Sequence, residues 1–284
     1  MIIDFHTHTF PEKIAASTLN ALGNAAHIKP FTNGTESGLL VSMKEAAIDY
    51  SVTFPVATKV GQVEKLNHRI IEKKEENLAK GLIYFGSMHP DYEDYKAELK
   101  RLAEAKIPGI KLHPAYQATD FNDIRMMRIV EYACELGLIV LIHAGIDIGI
   151  PDHNYASVEH ILEVMKAVQP DKLVLAHMGG WGCWDAVEKY LAGAPLYLDT
   201  SCSLRLESFH EDWKSNPQYK DHLSEEAFVR LCKKHGTDRI LFATDSPWQH
   251  QTEYVSAIQA MDFSDVEKEM IFSQNAVKLL NLNL

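Results

Sequence analysis

Short apolar runs rich in β-branched residues alternate along this chain with longer stretches whose apolar residues recur every three or four positions. The short runs are Ile2–His6, Val52–Val56, Leu82–Ser87, Gly109–His113, Ile139–His143, Leu173–His177, Leu196–Thr200 and Ile240–Thr244. They are apolar on both faces, as strands are when helices cover a parallel sheet. The longer stretches predict helices over Ser42–Tyr50, Val63–Lys80, Tyr92–Ala105, Asn122–Leu136, Ser157–Val168, Trp184–Leu191, Glu225–His235 and Asp265–Leu280. Within Asn122–Leu136 the apolar stripe reads Ile124, Met127, Val130, Ala133 and Cys134. Asp91 and Ser224 are N-cap candidates, and Gly81 and Gly137 follow the last turns of their helices.

About eight βα units in 284 residues predict a (β/α)8 TIM barrel, with residues 1–284 as a single domain. A doubly wound sheet would place a glycine-rich loop after the first strand, where this chain has His6-Thr7-His8-Thr9-Phe10-Pro11. Two long insertions, residues 10–38 and 201–223, leave the C-terminal ends of the first and seventh strands. Barrels keep their active sites on that side, so these segments are expected to act as lids or substrate walls.

Chemistry-bearing residues gather at those same ends. His6 and His8 stand two apart, so a strand puts them on one face with Cα atoms roughly 7 Å apart, and Asp4 is expected to join that face. The fourth strand carries Lys111 and His113, the fifth ends in His143, the sixth in His177-Met178-Gly179-Gly180, and the eighth in Thr244-Asp245-Ser246-Pro247-Trp248. Taken singly, each residue has an ordinary role: a core histidine, a cap or a turn former. Random placement of 14 histidines would rarely put so many at the same end of successive strands. Imidazoles and a carboxylate converging on one mouth point to zinc or another divalent first-row ion.

Composition narrows the partners. The net charge of −11 argues against nucleic acid, leaving a small-molecule substrate as the expected partner. No apolar run is long enough for a bilayer and no leader pattern opens the sequence, which predicts a cytoplasmic protein without a membrane partner. Cys134, Cys183, Cys202 and Cys232 form no CxxC pair, as expected for reduced thiols.

The motifs Asp4-Phe5-His6-Thr7-His8, His143, His177-x-Gly-Gly and Thr244-Asp245-x-Pro247, in this order, resemble the amidohydrolase superfamily. The nearest branch is the amidohydrolase-related group that includes aminocarboxymuconate-semialdehyde decarboxylase, and the resemblance covers the whole chain. It implies one divalent ion, zinc by expectation, held by His6, His8, His143 and Asp245. It also implies a catalytic pair, Asp245 and His177, and a homodimer. Relatives with two metals ligate the second with the fifth- and sixth-strand histidines and a bridging lysine or glutamate. Lys111 could bridge in that way if carboxylated, but its simpler roles are to bind a substrate carboxylate or to pair with Asp4 or a glutamate.

Other pocket candidates are softer. His113 precedes Pro114, which biases its backbone to extended and is expected to bring its ring to the mouth. Arg205, His210, Trp213 and Tyr219 fall in the second insertion, where Arg205 could clamp a carboxylate. Trp181 and Trp248 follow ligand-bearing strand ends, and Cys183 and Cys202 read as inert thiols. Lys111, His113, Arg205 and Trp248 are the expected substrate contacts.

The leading expectation is a metal-dependent hydrolase that attacks an amide, ester or lactone through a metal-activated water. The alternative is a metal-dependent decarboxylase of an unsaturated or aromatic acid, which an Arg205 facing the metal would favour. Two further rivals are a metal-dependent phosphoesterase or nuclease, which would want a fourth-strand glutamate, and a non-enzymatic barrel.

Overall fold

The computed structural model describes residues 1–206 and 222–282. The strands are β1 (Ile3–Thr7), β2 (Tyr50–Thr53), β3 (Leu82–Tyr84), β4 (Gly86–Ser87), β5 (Gly109–Leu112), β6 (Ile139–Ile142), β7 (Leu173–Leu175), β8 (Tyr197–Asp199) and β9 (Ile240–Leu241). Every pairing between them is parallel, in the order β1-β2-β3 and β4 through β9. The sequence run Leu82–Ser87 is one barrel strand interrupted at Phe85, whose amide still bonds Thr53 O at 3.1 Å. Phe5 N to Phe242 O (2.8 Å) and Asp245 N to His6 O (2.8 Å) join the last strand to the first and close the barrel.

Two apolar layers arise from the strand alternation. Ile3, Phe5, Val52, Phe54, Leu141 and Ala243 belong to a cluster inside the barrel. Ala276, Leu279 and Leu280 of the last helix join it beside Tyr50 and Tyr197, which begin their strands, and so plug the N-terminal end. The neighbouring positions Ile110, Val140, Ile142 and Leu175 pack outward with helix residues such as Met126, Ile129 and Ile161. At β5 and β8 the inner positions are not apolar: Lys111 and Asp199 are fully buried there.

Several elements differ from the sequence expectation, each for a local reason. The helix expected over Ser42–Tyr50 runs Glu36–Glu45, because the Thr35 side chain caps it by accepting from Gly38 N. Residues 10–38 are not an open loop but hold a further helix, Glu12–Ala26. Val63–Lys80 divides into Val63–Glu72 and Lys74–Ala79, and Asp265–Leu280 contains a π-helical stretch, Met270–Gln274. A helix over Gln251–Ala260 adds to the expected set. In Ile124–Glu135 the buried stripe is Met126, Ile129, Val130 and Ala133, and Ile124 is exposed. Ser224 caps its helix as expected, whereas Asp91 does not: that helix starts at Tyr95 and Asp91 instead pairs with Arg125 at 2.5 Å.

The register of β1 against β2 positions the site. Ile3 pairs with Tyr50, Asp4 with Ser51 and Thr7 with Thr53, so β1 advances three residues while β2 advances two. The extra residue is a bulge, which reverses the facing of the residues beyond it. Ile3 and Phe5 therefore point into the barrel core while His6 and His8 turn to its mouth. Asp4 does not share their face, contrary to simple alternation. Its carboxylate accepts from Thr244 N (3.0 Å), Thr244 Oγ1 (2.6 Å) and Gln251 Nε2 (2.7 Å), tying β1 to the loop that carries Asp245.

Close packing between strands sets a testable requirement at Gly109. A Cβ there would lie 2.3 Å from Ile139 O and 2.6 Å from the Phe85 ring, whereas one on Gly61 would meet nothing within 4 Å. Gly109→Ala is expected to lose about 1–3 kcal/mol of stability, read as a lowered urea midpoint. Gly61→Ala should leave the midpoint near wild type.

Candidate metal centre

Three side chains from the two ends of the sequence meet at the mouth. His6 Nε2 and His8 Nε2 are 3.2 Å apart, and Asp245 Oδ1 lies 3.6 Å from the first and 3.2 Å from the second. The other nitrogen of each ring is fixed. His6 Nδ1 faces Asp199 Oδ2 at 2.8 Å, and His8 Nδ1 faces the Phe54 carbonyl at 2.9 Å. A carbonyl only accepts, so His8 carries its proton on Nδ1; the Asp199 carboxylate selects the same tautomer for His6. Burial, reinforced by the Lys111 charge, holds His6 well below the usual histidine range, so its ring is neutral. Both Nε2 atoms then turn lone pairs toward one another and toward a carboxylate, with the Lys111 ammonium 3.3 Å from the first. Such an arrangement is repulsive without a cation and is the donor set that zinc or manganese takes. The residues thus fit a divalent ion.

Backbone strain serves this geometry. Asp245, His177, Met178 and Cys202 are non-glycine residues in the left-handed region, with φ of 67°, 59°, 53° and 49°. Conformations of this kind cost on the order of 1–3 kcal/mol each and persist only where surrounding contacts impose them. Around His177 those contacts are its amide on Asp199 Oδ1 (3.0 Å) and Trp184 Nε1 on its carbonyl (2.9 Å). At Asp245, burial pushes the carboxyl up, but the imidazoles of His8, His6 and His177 around it outweigh burial and hold it down at about 2.

A second trio lies beside the first. The donor atoms of His113, His143 and Asp147 fall within 4.8 Å of one another. Its hydrogen bonds differ in kind. His177 Nδ1 faces the Ser201 carbonyl at 3.2 Å and so carries a proton, which leaves His177 Nε2 to accept. Its neighbour at 3.0 Å is His143 Nδ1, which must donate. His143 Nε2 is therefore bare; it is buried and has no hydrogen-bond partner. His113 Nδ1, by contrast, accepts from the Tyr116 amide at 3.3 Å, so its proton sits on Nε2. Only one of the two imidazoles in this trio offers a lone pair, against both in the first. Burial keeps His113 and His143 well below the histidine range and raises Asp147 to about 6.

The structure thus brings together His6, His8 and Asp245, and sets His143 with His113, Asp147 and His177. Lys111 is the buried lysine or arginine among the described residues; its Nζ lies 3.3 Å from His6 Nε2 and 5.4 Å from the centre of the Phe54 ring. It does not pair with Asp4. Burial lowers its ammonium to about 8 against the pull of Asp199, Asp245 and Asp147. Trp248 is largely buried, its amide on Asp245 O at 2.8 Å. Arg205 is exposed, and His210, Trp213 and Tyr219 lie outside the described residues.

Sequence reasoning missed Asp199, Ser201 and Asp147. Asp199 ends an apolar run, the same signal that marked His143, and was legible on that rule. It accepts from His6, from the His177 and Ser201 amides and from the Ser201 hydroxyl. Asp147 sits four residues past His143 with no pattern to single it out.

A parallel α/β barrel with a histidine–carboxylate centre at the C-terminal mouth defines the class. The sequence matches the family model described as amidohydrolase over residues 3–282, and the chain belongs to that family. No curated protein matches it. Among solved structures it is similar to 5-carboxyvanillate decarboxylase from Sphingomonas paucimobilis (14% identity, TM-score 0.70, 99% of each chain covered). It is similar also to dihydroxybenzoic acid decarboxylase from Polaromonas with bound manganese and 2-nitroresorcinol (14% identity, TM-score 0.73, 100% of this chain and 97% of that). An uncharacterised TIM-barrel protein from Bordetella bronchiseptica shares the fold too (17% identity, TM-score 0.74, 99% and 98% covered). No helix among the described residues is long and apolar enough to cross a membrane.

Because Asp199 holds the His6 tautomer, Asp199→Asn is expected to weaken divalent-ion binding by about ten- to a hundredfold. Titration of the metal-free protein with Mn²⁺ or Zn²⁺ measures this, with circular dichroism confirming the fold.

Proposed function

We propose that the chain is a metal-dependent decarboxylase of a small aromatic or unsaturated carboxylic acid. The observation that carries this reading is Lys111, a buried cation set against the His6–His8–Asp245 trio. A buried ammonium at the site suits a substrate that brings a carboxylate, which decarboxylation requires and amide or lactone hydrolysis does not. The structurally similar decarboxylases add support, and three of their structures hold manganese.

When held by His6, His8 and Asp245, a divalent ion supplies a fixed positive charge against the electrons left on the substrate as carbon dioxide departs. Manganese suits this donor set as well as zinc does. Lys111 orients the departing carboxylate. The carbon–carboxyl bond breaks, its electron pair stays on the substrate carbon, and a proton must reach that carbon. The proton enters from solvent at His143 Nε2, the bare nitrogen, and passes from there to the carbon, while His177 Nε2, which accepts from His143 Nδ1, steadies the charged ring; we assign the pair the acid–base role. Asp245 stays ionised throughout.

Hydrolysis is the second reading, favoured by Asp245, whose carboxylate beside His8 is able to take a proton from water. The two separate on a panel of carboxyl-¹³C acids alongside esters, lactones and amides. Expected are metal-dependent release of labelled carbon dioxide and, in His177→Asn, a loss of about a hundredfold or more with metal content unchanged. Turnover of the neutral compounds without carbon dioxide would establish the hydrolase instead.

A further inference from the structure

The Tyr254 hydroxyl stands outside both trios, yet its bonds lead to His177. Tyr254 belongs to the helix Gln251–Ala260 and is fully buried. Burial pushes its phenol far above the ordinary range, so it keeps its proton, which it donates to the Thr200 carbonyl. Its oxygen accepts from the Ser203 amide at 3.1 Å and the Leu204 amide at 3.3 Å. The carbonyl of Thr200 and the amide of Ser203 are the two groups that a β-turn joins directly. Here the tyrosine hydroxyl bridges them.

The central peptide of this turn carries the Ser201 carbonyl. Its third residue, Cys202, is left-handed with φ of 49°, as the third residue of a type II turn is. Glycine is the usual occupant, because a side chain is strained there. In a type I turn the two torsions around the central peptide differ from these by about 150–170°, so the carbonyl between them points the other way. Both ends of the turn are fixed. Thr200 Oγ1 accepts from Ala243 N and donates to Ala243 O, each at 2.8 Å, and Leu223 N holds the Ser203 carbonyl at 3.0 Å. The Ser201–Cys202 peptide is the part left to rotate. Its direction matters because the Ser201 carbonyl faces His177 Nδ1 at 3.2 Å and can only accept. The Ser201 hydroxyl lies 3.0 Å from the same nitrogen, but it can turn its hydrogen from Asp199 to the ring and so suits either tautomer.

We propose that Tyr254 is a positioning residue: by holding this turn open in its left-handed form, it keeps the Ser201 carbonyl on His177 Nδ1 and fixes the His177 tautomer. His177 Nε2 then stays bare to accept from His143 Nδ1, which leaves His143 Nε2 with its lone pair. The effect on rate follows only from the acid–base role proposed for that pair, whereas the tautomer stands without it.

The test is ring-nitrogen NMR of the Zn²⁺-loaded protein with ¹⁵N-labelled histidine, the His177 signals assigned by their absence from His177→Asn. In the wild type the proton is expected on Nδ1. Tyr254→Phe should show a second form of His177 with the proton on Nε2. Ser201→Ala, which keeps the carbonyl, should stay on Nδ1 alone. Ser203→Ala removes another buried hydroxyl of the same turn; it controls for lost stability and should keep the wild-type tautomer. On an acid that releases carbon dioxide, Tyr254→Phe should lower kcat about ten- to a hundredfold with KM within about twofold of wild type.

A Tyr254→Phe protein whose His177 keeps its proton on Nδ1 alone would overturn the proposal. So would a second form in Ser203→Ala, or loss of the Nδ1 tautomer in Ser201→Ala. The last of these needs no change at Tyr254 and decides the matter even if the phenylalanine variant does not fold. A displaced tautomer with undiminished carbon dioxide release would keep Tyr254 in its role and remove His177 from the chemistry. Lowered release with the tautomer unmoved would do the reverse.

Discussion

Two imidazole lone pairs held 3.2 Å apart, with a carboxylate oxygen on their flank, are the constraint on which the mouth of this barrel depends. Neutral acceptors at that distance repel one another unless a cation stands beside them, and the Lys111 ammonium is 3.3 Å from His6 Nε2. The surroundings commit to it. Asp199 and the Phe54 carbonyl take the protons on the far side of each ring, and burial keeps His6 from acquiring a second proton. Asp199 also accepts from the His177 amide, so one buried carboxylate orients a proposed ligand and the proposed acid–base histidine together.

The fold supplies the means. A single extra residue in β1 lets the same strand fill the barrel core with Phe5 and still aim His6 and His8 at the mouth. Asp4, displaced to the other face, fastens that strand to Thr244 and Gln251, and hence to the loop that presents Asp245. The left-handed residues Asp245 and His177 stand just beyond β9 and β7, the first held through the Asp4 bonds to neighbouring Thr244 and the second by its amide on Asp199. Stability and chemistry therefore meet in the same residues. The interior gives up apolar packing at Lys111 and Asp199 to place charge beneath the site.

Much of this was legible in the sequence because it stems from periodicity. Apolar runs bounded by histidine or aspartate located the strands and their C-terminal ends, and a closed parallel sheet makes those ends converge. The bulge was not legible: nothing in Ile3-Asp4-Phe5-His6-Thr7-His8 marks the extra residue, so Asp4 read as a third member of the histidine face. The division of the histidines into two trios was hidden as well. It depends on which ring nitrogen meets a carbonyl, an amide or a carboxylate, and those partners come from Phe54, Tyr116 and Ser201, far apart in the chain or carrying only backbone groups. The helix within residues 10–38 was obscured by the assumption that a segment leaving a strand end remains a loop.

The single-ion centre is tested most directly by anomalous diffraction from crystals soaked in Mn²⁺ or Zn²⁺. One peak is expected between His6 Nε2, His8 Nε2 and Asp245 Oδ1, and none between His113, His143 and Asp147. An absent first peak, or a peak at the second trio in its place, would contradict a centre built on the two bare Nε2 atoms.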